Sequence, residues 1–296
     1  PSPPLTIGRL NNWLGKIKGC KVVYNVQEIY PDILNKPETS FVHRYLRGME
    51  KRVYNNSAAV TTIDQVFYDT IVGRFDDKSK LHIIPNFVDT ELYHDGVSTK
   101  ELDKKLFPET DSIKLLYAGN IGFAQDWEPL IRLAEKTREQ NIEYFLIGMG
   151  VKKKWVEEQK TLLGLDKLHI LDYQPRHLMP AILAYSDLQY IFMTPEQEGM
   201  GFPSKVYTIM ACARPLLVCS GDNTPIVNFL KPVGCAKLVT DHDLERKTDE
   251  MAKWLSTITR DDLRQMGAKG ESVIKQSYTK EKVTRQYVEL VDSILK

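Results

Sequence analysis

Ile113-Lys114-Leu115-Leu116-Tyr117-Ala118-Gly119-Asn120-Ile121-Gly122-Phe123-Ala124-Gln125-Asp126 decides the architecture of this chain. A strand-sized apolar run (113–118) ends in a loop with two glycines, and that loop opens a helix. A strand running through a tight turn into a helix is the start of a βαβ unit, and repeated units of this kind make a parallel sheet covered by helices on both faces. Outward from this stretch the alternation continues, with strands read at 144–148, 168–172, 188–193, 215–219 and 236–239 and helices between them. That is enough for a complete doubly wound domain. At the far end, Lys280 to Leu295 repeats apolar residues at 283, 287, 290, 291 and 294, the period of an amphipathic helix.

Toward the N-terminus the pattern thins. Strands are read at 21–26, 59–63 and 81–84, the last stopped by Pro85. Helices are read at Leu5 to Ile17, at Phe41 to Tyr54, and from an Asp64 cap to Phe75. Thr90 to Ser112 is polar and aperiodic, as an interdomain linker would be. Three strands with an unpaired edge make a poor stand-alone sheet, and the opening helix has no strand before it. The expectation is a first domain that is incomplete, with about 100 residues lying upstream.

Composition narrows the function classes. With 296 residues, 42% apolar and 27% charged, the chain can bury a core and is not disordered. Its 40 basic and 39 acidic residues leave a net charge of +1, so no global field selects nucleic acid. No apolar stretch approaches the ~20 residues of a membrane span, and Pro1-Ser2-Pro3-Pro4 does not read as a signal peptide. Cys20, Cys212, Cys219 and Cys235 form no CxxC pair and have no histidine at metal-ligand spacing. They read as reduced, mostly buried thiols of a cytoplasmic protein, and no metal site is expected.

Three loops carry chemistry. Gly119-Asn120-Ile121-Gly122 follows a strand and opens a helix, where backbone amides and the helix N-terminus suit a phosphate. Gly148-Met149-Gly150 ends the next strand, and ligands of open α/β sheets sit outside the carboxyl ends of the strands. Each alone is equally well a ligand-free turn; two at successive strand ends make the better case. The third is Glu198-Gly199-Met200-Gly201-Phe202-Pro203-Ser204-Lys205-Val206-Tyr207-Thr208, running on into Met210-Ala211-Cys212-Ala213-Arg214-Pro215. Glycines, then Pro203 and Ser204 at a helix start, make an anion site, and Lys205 adds a mobile cation suited to a diphosphate. A lysine in an arbitrary context is merely solvated; the glycine context is what singles out this one.

These motifs resemble those of the retaining glycosyltransferases of family 4, which have the GT-B fold. Pro203-Ser204-Lys205-Val206-Tyr207 with Met210 to Pro215 is similar to the signature Pro-Ser-Lys-Leu-Tyr…Ala-x-Gly-Arg-Pro, and Tyr117 to Gly122 to the family's first donor-domain loop. Pro85-Asn86-Phe87-Val88-Asp89 resembles Pro-Asn-Gly-Val-Asp, and Tyr173 to Pro180 with Ala184 to Asp187 resembles the loop and helix beside the nucleotide base. Glu50-Lys51-Arg52 with Ala58-Ala59-Val60-Thr61, and Ser2-Pro3-Pro4-Leu5, match segments of the N-terminal domain. The closest resemblance is to bacterial enzymes of the capsule, O-antigen and colanic-acid type.

The resemblance implies an α/β chain of two Rossmann-like doubly wound domains, the N-terminal one incomplete. Residues 1–108 would be a partial acceptor-side domain and linker, 109–278 the nucleotide-sugar domain, and 279–296 a helix crossing back to the first domain. A UDP- or GDP-sugar would be the donor substrate, with no resident cofactor or metal, and a glycan or polyprenyl-linked molecule would be the acceptor. The nucleotide would contact Gly119 to Gly122, Gly148 to Gly150, Tyr173, Gln174, His177, Glu198 to Lys205 and Thr208. Two departures stand out. Thr208 replaces a ribose-binding Glu whose partner carboxylate falls on Met200, with Glu198 nearby, and Gln27-Glu28 stands where some relatives place an active-site His. Lys205, Gln27 and Glu28 are the catalytic candidates; a strand-end Glu is equally a solvated cap. The rival readings are a sugar-nucleotide epimerase, for which acid/base groups beyond Lys205 are missing, and a non-catalytic nucleotide-sugar-binding subunit.

Leu5, Ile7, Leu10, Leu14 and Ile17 form one apolar helix face beside Trp13, with Arg9, Lys16, Lys18 and Lys21 nearby. Such a helix either lies on the inner face of an anionic bilayer or packs that face on the sheet, and the second is favoured. Lys152-Lys153-Lys154-Trp155 reads as a solvated helix start.

Overall fold

The computed structural model describes residues 4–32, 40–198 and 202–296. The chain divides into two compact units: 1–87 with 199–202 and 278–296, and 88–198 with 203–277.

The first unit opens with α1 (Leu5–Lys18), β1 (Val23–Val26), α2 (Phe41–Asn56), β2 (Ala59–Thr62), α3 (Gln65–Ile71) and β3 (Leu81–Ile83). Its three strands are all parallel, in the order β1-β2-β3. Asp64 caps α3 by accepting from the Phe67 amide at 2.7 Å, the N-cap expected of it. Tyr24, Val26, Val53, Tyr54, Val60, Phe67 and Ile71 form the core, with Tyr54 stacked on Phe75.

The second unit holds β4 (Ile113–Ala118), α4 (Trp127–Lys136), β5 (Ile142–Ile147), α5 (Lys153–Leu163), β6 (Leu168–Leu171), α6 (Met179–Tyr185) and β7 (Leu188–Phe192). It continues with α7 (Lys205–Ala211), β8 (Leu216–Cys219), α8 (Pro225–Leu230), β9 (Ala236–Val239), α9 (Leu244–Leu255) and α10 (Arg260–Ser277). All pairs are parallel, and the order β6-β5-β4-β7-β8-β9 reverses direction between β4 and β7, the switch point of a doubly wound sheet. The strands are nearly continuous apolar runs because both faces are covered; β7 and β8 are buried along their full length. Cys212, Cys219 and Cys235 are buried, and burial pushes their thiols up to about 12, so they pack as inert apolar groups.

The terminal helix α11 (Lys280–Leu295) belongs to the first unit. Val283 and Leu290 are buried against Ala59 and Ile84, and the Asn25 side chain donates to the Tyr287 hydroxyl.

Two expectations are corrected. The boundary between units falls after Phe87 rather than at 108, because the polar stretch is anchored in the second unit. Leu102 and Phe107 are buried with Leu116 and Phe145, Tyr185 donates to the Pro108 carbonyl at 2.7 Å, and Arg214 pairs with Asp95 at 3.1 Å. A few well-placed anchors need no periodicity. The other concerns α1, which packs through Leu5, Gly8, Asn12 and Gly15, while Ile7, Leu10, Trp13, Leu14 and Ile17 are 40–59% exposed. A methyl at Gly8 would come within 2.6 Å of the Tyr24 ring and 2.7 Å of Val53, and the Asn12 amide donates to the Val53 carbonyl at 2.9 Å. The small face is buried because it allows the closest approach.

Candidate functional site

The glycine loops after β4 and β5 are in direct backbone contact. The Gly119 amide donates to the Ile147 carbonyl (2.9 Å), Ile121 to Met149 (2.8 Å) and Lys152 to Ile121 (3.0 Å). Glycine makes this possible. At Gly148, with φ of 152°, a methyl would lie 1.8 Å from the Gly119 carbonyl oxygen; at Gly150, with φ of 154°, it would lie 2.2 Å from that of Ile121. Neither position tolerates a side chain in conformation or in space. Gly148→Ala is therefore expected to cost at least about 2 kcal/mol in urea denaturation, since backbone strain and overpacking each cost about 1–3 kcal/mol. A loss under 0.5 kcal/mol, about the scatter of a neutral surface substitution, would show that the loops part freely.

The same contacts correct one expectation. Several amides expected to face a phosphate are already engaged: Gly119 and Ile121 as above, Gly148 with the Leu171 carbonyl (2.9 Å) and Gly122 with the Gln125 side-chain oxygen (3.2 Å). Loops this close satisfy one another's donors.

Lys205 supplies the charge. It is the first residue of α7, and its Nζ donates to the Ala118 carbonyl at 3.1 Å and stands 3.8 Å from the centre of the Tyr117 ring. A methyl on Gly119 would come 3.0 Å from that ammonium, which therefore lies directly against the first glycine loop. Among the described residues no carboxylate pairs with it, and burial pulls it down to about 8 from its ordinary 10.5. Below pH 8 Lys205 is charged in both folded and unfolded chains, and the burial cost is fully present. Between about 8 and 10.5 the native group is neutral while the unfolded one still holds its proton, so this contribution to stability rises with pH. Urea melts of the wild type and Lys205→Met at pH 7.5 and 10 are expected to show the wild type gaining on the variant at the higher pH. No change in the gap would mean that the ammonium is solvated.

Tyr117, at the end of β4, is the contact that the sequence did not single out. Its sequence signal is its place at the head of the Tyr117–Gly122 stretch, two residues before Gly119. Its hydroxyl donates to the Asn120 carbonyl at 2.9 Å, and burial, with a smaller contribution from nearby Tyr173, pushes its phenol up. Tyr173, in the loop after β6, is 58% exposed. Gln174 donates to the Asp172 carbonyl at 3.1 Å, and His177 is exposed in the 3-10 turn preceding α6.

Pro203 and Ser204 lead into α7, and Ser204 makes no side-chain cap. The Thr208 hydroxyl donates back to the Lys205 carbonyl at 2.8 Å. Glu198 is nearly buried, 3.8 Å from His242 Nε2 and against Gly221, and so lies at the ends of β8 and β9. Phe202 groups with the first unit as a half-buried core residue, because its ring finds apolar neighbours there. Gly199, Met200 and Gly201 lie outside the described residues. Gln27 and Glu28 are half-buried just after β1 in the first unit, where Gln27 donates to Asn25 Oδ1 at 2.6 Å.

Comparison with known proteins decides the family. The model of glycosyl transferases group 1 matches residues 98–271, more than half of the chain. The chain belongs to that family. The model of glycosyltransferase family 4 matches residues 3–92. Among curated relatives, the Escherichia coli (strain K12) protein named as colanic acid biosynthesis glycosyl transferase WcaI is 22% identical over 208 residues, covering 67% of this chain and 51% of its own length. The Pseudomonas aeruginosa protein named as glycosyltransferase WbjE is 22% identical over 274 residues, covering 88% of this chain and 65% of its own length. The chain thus spans between about half and two thirds of these relatives. Among solved structures, Anabaena HepE in complex with UDP superposes with a TM-score of 0.76 at 14% identity, covering 98% of this chain and 77% of that one. Sucrose-phosphate synthase of Thermosynechococcus elongatus gives 0.74 at 14% identity, covering 97% and 72%. These neighbours are GT-B glycosyltransferases, and the chain shares their α/β fold of parallel, Rossmann-like sheets.

Proposed function

We propose that this group 1 chain carries the donor-binding part of a transferase that moves a sugar, with retention of configuration, from a nucleoside-diphosphate sugar to a glycan or lipid-linked acceptor in surface polysaccharide synthesis. The observation that carries this reading is Lys205, a buried ammonium with no carboxylate partner among the described residues, lying against a glycine loop at the carboxyl end of β4. A buried cation without a counter-ion is costly unless an anion completes it. A diphosphate is such an anion. As the sugar–oxygen bond to the diphosphate breaks, charge accumulates on the leaving group, and a preorganised cation stabilises that charge. Tyr173 offers its exposed ring to the base. The UDP complex of HepE and the colanic-acid name of the Escherichia coli relative agree with this reading.

A non-catalytic nucleotide-sugar-binding subunit is the second reading, favoured by Thr208, whose hydroxyl turns back onto its own helix. Thermal denaturation with UDP, GDP, their glucose and mannose sugars, and the bare nucleosides tests binding. One diphosphate series is expected to raise the midpoint, because a ligand that binds only the folded state stabilises it. No shift with any diphosphate would overturn both readings. Donor-sugar release in the presence of a polyprenyl-linked acceptor separates the enzyme from the binding subunit.

A further inference from the structure

A groove outside the Lys205 site has the composition of a saccharide platform. It encloses about 340 Å³ between the N-terminal ends of α4 and α5 and is lined by Phe123, Gln125, Trp127, Glu128, Lys152 and Trp155, among others. Phe123 is 71% exposed, yet the loop that carries it is fixed at every turn. The Trp127 indole donates to the Gly122 carbonyl at 2.8 Å, the Gly122 amide to Gln125, and the Thr194 amide to the Ala124 carbonyl at 3.1 Å. Asp126 is neutralised by Lys247 at 2.9 Å. An exposed apolar ring is thus carried on a loop tied down by several hydrogen bonds.

Lys152 lies between two rings, 5.1 Å from the centre of Phe123 and 5.8 Å from that of Trp155, and no salt bridge to it or to Glu128 occurs among the described residues. The groove therefore offers an exposed aromatic ring, an ammonium seated against two rings, and a carboxylate with no salt bridge among the described residues. A hexopyranose matches this set. Its C–H face covers an aromatic ring, and its hydroxyls both accept from an ammonium and donate to a carboxylate. With both an ammonium and a carboxylate lining it, the groove favours a neutral sugar over a uronic acid or a sugar phosphate.

We infer that the Phe123–Lys152–Trp155 groove with Glu128 is a second carbohydrate-binding subsite, taking a neutral hexopyranosyl residue of a glycan and separate from the diphosphate position at Lys205. It deepens the proposed function, on which its role toward a glycan acceptor rests, but its binding is measurable without turnover. The probes are methyl β-D-glucopyranoside and methyl β-D-galactopyranoside, read by saturation-transfer difference NMR with and without saturating UDP. At least one glycoside is expected to receive saturation through the C–H protons of one face, and UDP is expected not to displace it. Phe123→Ala should reduce the signal about fivefold or more, the scale of losing one aromatic contact, with an unchanged melting temperature. Lys152→Met and Glu128→Gln should each weaken binding while leaving UDP affinity intact. No signal from either glycoside, displacement by UDP, or full signal in Phe123→Ala would each overturn the subsite. UDP titration of the same samples reports separately on the donor reading.

Discussion

Alanine in place of Lys205 is expected to weaken UDP or GDP binding about ten-fold or more, at roughly 1.4 kcal/mol per decade, while leaving the affinity for the bare nucleoside unchanged. The ammonium meets the Ala118 carbonyl and the Tyr117 ring but no carboxylate among the described residues, so a diphosphate would be its counter-ion. Charge-assisted contacts to phosphate are about twice as strong as neutral ones, and truncating one partner of a buried charged pair costs about 2–5 kcal/mol. The backbone donors at Gly119, Ile121, Gly122 and Gly148 cannot compensate, because they are engaged within the loops. Uridine or guanosine would rest near Tyr173 and should not register the change. Folding should survive, since the variant removes a buried charge rather than a core side chain. Calorimetric titration of diphosphate and nucleoside into both proteins decides the matter. Equal losses for the two ligands would make Lys205 a general shaper of the pocket, and no loss would remove it from the site.

The largest effect on stability is expected at Glu50. This carboxylate is fully buried in the first unit, where Oε1 accepts from Arg74 (2.5 Å) and the Tyr54 hydroxyl (2.9 Å), and Oε2 accepts from Arg47 (2.9 Å). Asp32 closes the ring, binding both arginines at 2.6 Å. Burial pushes the Glu50 carboxyl up, and Arg74 and Arg47 offset part of that shift. The network is therefore not a large net source of stability, since removing charges from water costs as much as their attraction returns. Breaking it from one side is another matter. Glu50→Ala leaves two partly buried guanidiniums sharing Asp32 and a cavity beside Tyr54, and is expected to cost about 3–5 kcal/mol. Glu50→Gln keeps the volume and one acceptor and should cost less. Urea melts at pH 7, read by far-UV circular dichroism, provide the test. A loss below 1 kcal/mol for the alanine variant, near the median of a surface ion pair, would show that water already screens the network. The network also ties Asp32, in the loop after β1, to α2 and to the 3-10 turn after α3. It thereby holds the chain that carries Gln27 and Glu28.

The elements were legible in the sequence wherever a single local rule governs them. The strands from β4 to β9 lie within two residues of their expected ends, because short apolar runs between helices have no other stable arrangement than a covered parallel sheet. Asp64 as a cap and Lys205 at the start of α7 followed from local chemistry in the same way. The tertiary structure decided what depends on distant partners. Leu10 and Ile17 look like core residues of α1, but Gly8 and Gly15 let the opposite face approach Tyr24 and Val22 more closely. Leu102 and Phe107 carry a polar stretch into the second unit without any periodicity to announce it. Arg47 and Glu50 are readable as helix neighbours, whereas their closure through Asp32 and Arg74 depends on the folding of the loop after β1 and the turn after α3. The sequence alone marked the glycine loops and the lysine. Only packing determined which amides the loops use themselves and left that lysine buried with no carboxylate partner among the described residues, because hydrogen-bond satisfaction and desolvation are set by neighbours far apart along the chain.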